Sequence, residues 1–278
     1  MPGVGQSASV GRLLLLGGGN MGGAMLRGWI ADGLDPASVI VVDPRPSEAL
    51  APLFEKGVRH AAAIPAEPQD IVILAVKPQM MDEAVGPLRA AMTRDTLVIS
   101  VAAGITVAFL EARLGRRPVV RAMPNTPALI GRGITGAYGN DLVGGTLRAT
   151  TTALLKASGP VEWVHTEAEI DMITAVSGSG PAYVFLLAEA LAEAGVAAGL
   201  EPALAMRLAR HTVAGAGELM IRSEEEPAQL RRNVTSPKGT TEAALKVLSV
   251  DDGGLKELMR HAVAAAKRRA EELSRGEA

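Results

Sequence analysis

The sequence predicts an α/β domain built around a parallel sheet, followed by an all-α domain. Short β-branched or leucine-rich runs alternate with longer helical stretches through the first half of the chain, the pattern of strands joined by helical crossovers. From about residue 170 those runs vanish and alanine-rich stretches replace them. With 278 residues, 48% of them hydrophobic, the chain can fill two cores, since single cores stop growing at about 250 residues.

The elements follow in order. The leader MPGVGQSASVG, residues 1–11, precedes a run of four leucines, too short for the apolar region of a signal peptide, and reads as a disordered leader. RLLLLG (12–17), VIVVD (39–43), IVILAVK (71–77), TLVISVA (96–102) and PVVRAM (118–123) are expected strands. They are apolar almost throughout, as strands covered on both faces are. The sheet domain is expected over 12–168 and the helical domain over 169–278.

In the second domain, 181–200 and 203–221 are expected helices. In AYVFLLAEALAEAGVAAGL only Glu189 and Glu193 are charged, and they share one face. So apolar a helix must be buried nearly all round. A second copy of the chain would bury it, making a homodimer; the alternative is a helix at the centre of a monomeric bundle. The run from Met172 to Ala188 approaches the length of a membrane span, but its SGSGP interrupts it with turn residues, so it is expected to form a buried turn and helix.

Composition excludes several partners. A net charge of -2 argues against a nucleic-acid surface. With no cysteine there are no disulfides, thiolate nucleophiles or cysteine-held metals, which fits a cytoplasmic protein. The histidines at 60, 165, 211 and 261 lack metal-ligand spacing, so no metal is expected. No membrane contact is expected either.

Gly17, Gly18, Gly19, Asn20, Met21 and Gly22 place a G-x-G-x-x-G frame between a strand and a helix. Its glycines allow a tight turn, close approach of backbone to a diphosphate and close helix–strand packing. The diphosphate would sit on free N–H groups at the helix start. Asp43, at the end of the second strand, would accept from a ribose 2′-hydroxyl and favour NAD; Arg45 would hold a 2′-phosphate and favour NADP. Asp43 also suits an ordinary DPRP turn. The cofactor is therefore NADH or NADPH.

Three further strand ends, AVKPQ (75–79), SVAAG (100–104) and RAMPNTPA (121–128), should line the same cleft. Singly, Lys77 reads as a loop lysine and Asn125 as a turn former. Together with GGGNMG, AVSGSGPAYVF (175–185) and NVTSPKGTTEAAL (233–245), in this order, they closely resemble the pyrroline-5-carboxylate reductase family, from about Arg12 to Glu272. The resemblance implies a Rossmann-type domain, a helical domain that interlocks with a partner subunit, and NAD(P)H-dependent reduction of a cyclic imine to L-proline. By motif it implies cofactor contacts at residues 17–22, at Ala75, Val76, Lys77 and Pro78, and at Val101, Ala102 and Ala103. It implies substrate contacts at Glu167, Asn233, Ser236, Gly239, Thr240 and Thr241. Family members often assemble further into rings of dimers, so a decamer is a further expectation.

The chemistry suits these residues. A ketone's developing alkoxide wants a positioned acid, whereas an imine is basic enough to take its proton from water. No histidine lies in any of the motifs. The N–H groups opening TEAALKVL would hold the substrate carboxylate, Ser236 would add a donor, and Thr241 would bond the ring nitrogen. Thr240 or Thr241 also looks like an ordinary N-cap. SEEEPAQLRR (223–232) reads mainly as a helix start, with Glu224 its one candidate functional residue by resemblance. SGSGP reads as a turn before a helix with proline in its first turn, and in the family it also packs close to nicotinamide. Lys238 stands where the family usually has a second glycine; either its backbone angle is ordinary or the loop is reshaped. A hydroxyacid dehydrogenase would be expected to carry a lysine in its first long interdomain helix, and residues 172–200 contain none. A dinucleotide-binding sensor without turnover is the remaining alternative.

Overall fold

The computed structural model describes residues 10–277; most of the expected leader, residues 1–9, lies outside them. Val10 packs in the core and the Arg12 amide donates to Asp70 Oδ2 (2.7 Å), so the end of the expected leader is part of the fold. In chain order the elements are β1 (Leu13–Leu16), α1 (Asn20–Ala31), β2 (Val39–Val42), α2 (Ala51–Glu55), β3 (Arg59–Ala61), β4 (Gln69–Leu74), α3 (Met81–Val85), β5 (Met92–Ser100), α4 (Val107–Leu114), β6 (Val119–Met123), β7 (Thr135–Gly139), α5 (Gly145–Lys156), β8 (Val161–Trp163), α6 (Ala168–Ile173), α7 (Gly180–Ala197), α8 (Pro202–Arg222), α9 (Pro227–Asn233), α10 (Thr240–Leu248) and α11 (Leu255–Ser274). They form two compact units: residues 1–178 with 266–278, and residues 179–265. In the first unit α6 packs on β6 and β7, and the end of the chain returns to the same unit.

The sheet has the order β3-β2-β1-β4-β5-β6-β7-β8. All neighbours are parallel except β6 and β7, which are antiparallel. Leu13 and Leu15 join one core cluster while Leu14 and Leu16 join the other, which is why the strand reads as an unbroken apolar run. Trp29 of α1 is fully buried, and its indole donates to the Leu154 carbonyl of α5 (2.7 Å). The five expected strands are present, each trimmed or shifted at its ends. β3, β7 and β8 were not expected: β3 is a short, largely exposed edge strand, β7 carries Gly136 and Gly139, and β8 is three residues long.

In the helical unit, α8 starts where Glu201 accepts from the Ala203 and Leu204 amides (both 2.9 Å), with Pro202 at the first position. α7 and α8 pack through small residues: Ala192, Ala205 and Ala209 are buried, and a Cβ on Gly195 would lie 3.2 Å from that of Ala205. The alternative of a helix at the centre of a monomeric bundle does not hold, because the chain itself does not bury α7. Phe185 is 66% exposed and Leu186 63%, and Ile221 of α8 is 75% exposed, so one chain leaves much of this apolar surface uncovered. Within SGSGP, Ser179 is the N-cap of α7 and Pro181 lies in its first turn, as expected, but the segment is only half-buried. A π-helical turn over Thr174–Gly178 follows α6, and the stretch Ala168–Ala197 is long and apolar enough, by length and composition alone, to match a membrane span.

Candidate active site

Strand order reverses between β1 and β4, the switch point where ligands collect beyond strand ends in such sheets. Three expected cofactor segments meet there. The Gly17 amide donates to the Val42 carbonyl (2.9 Å), that of Ala75 to Leu16 (2.8 Å), and that of Val101 to Leu74 (3.0 Å). Residues 17–22, 75–78 and 101–103 thus lie on adjacent strand tips. Gly17 has φ +102, and a Cβ on Gly22 would stand 2.1 Å from the Gly17 carbonyl oxygen, so only glycine fits either position. Nothing lies within 4 Å of where a Cβ on Gly19 would be. α1 begins at Gly19 without a side-chain cap, and the amides of Asn20, Met21 and Gly22 have no acceptor among the described residues. A dinucleotide diphosphate fits this open, positively polarised helix start. Lys77 is exposed at the start of the turn containing Pro78, and Val76 is half-buried beside it.

Asp43 is engaged differently from the simple ribose reading. Its Oδ2 accepts from the Gly18 amide (2.7 Å) and its Oδ1 from the Arg45 amide (2.8 Å), while its carbonyl meets His60 Nε2 (2.9 Å). The carboxylate therefore braces both the glycine loop and the DPRP turn. Arg45 is exposed, and its guanidinium has no ion pair among the described residues.

Two motifs far apart in sequence also join. Asn125 donates to Ser177 Oγ (3.2 Å) and accepts from the Ile134 amide (3.0 Å), closing the PNTP loop onto the π turn. A Cβ on Gly178 would lie 2.6 Å from Met123 Cε, so a larger residue in the first serine–glycine pair of AVSGSGP would have to push the methionine aside.

The turn 236–241 belongs to the helical unit. The N-cap of α10 is Gly239, with no side-chain cap, so neither Thr240 nor Thr241 caps the helix. The amides of Thr240, Thr241 and Glu242 have no acceptor among the described residues. A Cβ on Gly239 would come 2.4 Å from Ser236 Oγ, so the serine hydroxyl folds over the glycine. Lys238 has φ +61, so the left-handed turn is kept even though the residue is not glycine. Glu242 faces back along the turn, accepting from the Lys238 amide (2.7 Å) and pairing with Lys246 (3.7 Å). Asn233 is held on both sides, accepting from Gln229 (2.6 Å) and donating to Glu225 (2.8 Å). That second bond also explains part of the acidic run: Glu226 is the N-cap of α9 and Pro227 opens it.

Glu167 lies in the sheet unit, apart in sequence and in unit from the other expected substrate contacts. The turn before α6 is set by Glu169, which accepts from the Thr166 amide (2.8 Å) and hydroxyl (3.0 Å) and from the His165 amide (3.0 Å). These bonds, the Thr166 amide's first, hold its carboxyl below the usual range. Glu167 Oε1 accepts from the Val107 amide (2.8 Å) and from Arg121 (3.3 Å). Sequence reading did not single out Arg121 or its buried partner Asp171, because an arginine inside an apolar strand carries no motif signal of its own.

A parallel sheet with a glycine loop at its switch point, followed by a helical unit with uncovered apolar helices, defines a nicotinamide-dinucleotide oxidoreductase. The family model for pyrroline-5-carboxylate reductase dimerisation matches residues 167–273, and that for the coenzyme F420-dependent NADP oxidoreductases matches 12–104. A pyrroline-5-carboxylate reductase of Pseudomonas aeruginosa is 43% identical over 95% of this chain and 97% of its own. The structure of one from Coxiella burnetii superposes with TM-score 0.87 at 39% identity, covering 95% of this chain and 99% of that one. That of Plasmodium falciparum, with NADP bound, gives 0.81 at 28% identity over 96% and 100%. This chain belongs to the pyrroline-5-carboxylate reductase family. Residues 167–273, which include the helical unit, match its dimerisation domain.

Proposed function

We propose that this chain reduces 1-pyrroline-5-carboxylate to L-proline with NADPH or NADH, the last step of proline biosynthesis. The observation that carries the reading is the start of α10: free amides, a glycine cap and two threonine hydroxyls with no structural duty. The amides of Thr240 and Thr241 and the Ser236 hydroxyl bind the substrate carboxylate. Asn233 keeps one amide hydrogen for it. Glu167, whose Oε1 is committed to Val107 and Arg121, serves only as an acceptor through Oε2, toward a substrate N–H and not the carboxylate. The Thr241 hydroxyl donates to the ring nitrogen, or accepts from it once protonated. A bound dinucleotide supplies the hydride. The residues of this chain orient the ring and hold its nitrogen while water provides the proton.

The working enzyme on this reading is a cytoplasmic homodimer joined through α7 and α8, whose exposed Phe185, Leu186 and Ile221 a second copy covers. Further assembly of such dimers into a decamer is part of the same proposal.

Arg45 selects the nucleotide on this reading, since its exposed guanidinium is without an ion pair among the described residues, while both Asp43 oxygens already brace backbone amides. Turnover of pyrroline-5-carboxylate with each nucleotide tests both levels. The wild-type chain should oxidise NAD(P)H only when that imine is present, and a panel of 2-oxo acids, the hydride acceptors of a hydroxyacid dehydrogenase, should be inert. Arg45→Ala should raise the KM for NADPH about tenfold and leave NADH nearly unchanged, the loss of one charge-assisted phosphate contact. Asp43→Ser should weaken both nucleotides alike; a changed NADH-to-NADPH ratio in that variant would make Asp43 the selector.

A further inference from the structure

The Arg121 guanidinium is 3% exposed and opens the RAMPNTPA strand end, with no cofactor or substrate contact of its own assigned to it. Its Nη2 donates to Asp171 Oδ1 (2.6 Å) and to Ser274 Oγ (3.1 Å), and its Nη1 to Glu167 Oε1 (3.3 Å). Ser274 in turn donates to the same Asp171 oxygen (2.9 Å). Glu167 Oε1 also takes the Val107 amide, the first of α4, and α4 begins directly after the strand tip 101–106. The other side of that tip meets the same helix end. Gly104 has φ +75, and a Cβ there would stand 3.0 Å from Leu273 Cβ.

The last turn of α11, which is grouped with the sheet unit, therefore touches the β5 tip twice: directly through Leu273, and through Ser274, Arg121 and Glu167 to the first amide of α4. A buried ion cluster with every member hydrogen-bonded has few alternative arrangements, so it fixes what it is tied to. We infer that the C-terminal turn of α11 is a positioning element for the nucleotide-binding tip, with Ser274 as its positioning residue. The inference rests on the reading that residues 101–103 contact the dinucleotide.

Ser274→Ala leaves the Arg121–Asp171 pair in place and removes the hydroxyl that links it to α11, so the fold should survive. The KM for NADPH and for NADH should rise together by about fivefold, the effect of one lost hydrogen bond on binding. kcat and the KM for pyrroline-5-carboxylate should stay within about twofold of wild type, and Ser274→Thr, which restores a hydroxyl, should recover the nucleotide KM. A lowered Tm with an unchanged nucleotide KM would reduce the cluster to a structural clamp and overturn the inference. Ala103→Leu separates the two readings. A raised nucleotide KM there beside a wild-type value in Ser274→Ala overturns the positioning role alone, whereas wild-type values in both remove the nucleotide from the tip and the positioning role with it.

Discussion

Arg121→Met is expected to destabilise the protein by about 3–5 kcal/mol, the cost of leaving buried charge without its partner. Arg121 follows Val119 and Val120 on β6 and pairs in register with Ser100 of β5, inside the sheet. Methionine fills much the same volume and restores none of the donors. Asp171, itself buried, would be left with only Ser274 beside it, and Glu167 would keep only the Val107 amide on Oε1. For a domain of this size the Tm should fall by about 10 °C in thermal unfolding followed by circular dichroism. Adding Asp171→Asn to Arg121→Met should recover part of the loss, because the uncompensated carboxylate is then gone. An unchanged Tm in Arg121→Met would mean that the cluster stabilises nothing.

Thr241→Ala is expected to lower kcat/KM for pyrroline-5-carboxylate at least tenfold, about 1.4 kcal/mol of transition-state binding. Its Tm should match that of wild type. This pairing of outcomes follows from the start of α10: Gly239 is the N-cap, no side chain caps the helix, and Thr241 is its second residue. Were Thr241 a cap, alanine would cost roughly 1 kcal/mol of stability and spare the kinetics. Thr241→Ser keeps the hydroxyl and should retain most activity. A fall in Tm with intact kcat/KM would return the residue to a structural role.

What the sequence made legible, and what it did not, follows from the range of the interactions involved. β1, β2 and β4 are continuous apolar runs because both faces are covered, and such runs are readable locally. β3, β7 and β8 owe their existence to neighbours already in the sheet. β7, with two glycines in five residues, has weak strand propensity and is held by its antiparallel register with β6. The glycine loop was legible because its geometry leaves no room for another residue at Gly17 or Gly22. The use of Asp43 was not, since a carboxylate at a strand end serves a ribose or a backbone amide equally well until the Gly18 amide is seen donating to it. Thr241 was ambiguous for the same reason, and the cap at Gly239 resolves its structural side. Lys238 was legible as an anomaly only; that it keeps φ +61 depends on the turn around it, including the bond of its amide to Glu242. The Arg121 cluster draws on residues from β6, α6 and α11, a separation that no local pattern spans.

The central claim is that the turn leading into α10 recognises the carboxylate of a cyclic imine. The direct measurement compares kcat/KM for 1-pyrroline-5-carboxylate with that for 1-pyrroline, the same ring and C=N bond without the carboxylate. Charge-assisted hydrogen bonds contribute about 1.5–3 kcal/mol each, so losing two of them should reduce kcat/KM for 1-pyrroline on the order of 100-fold or more. Equal values for the two substrates would contradict the account.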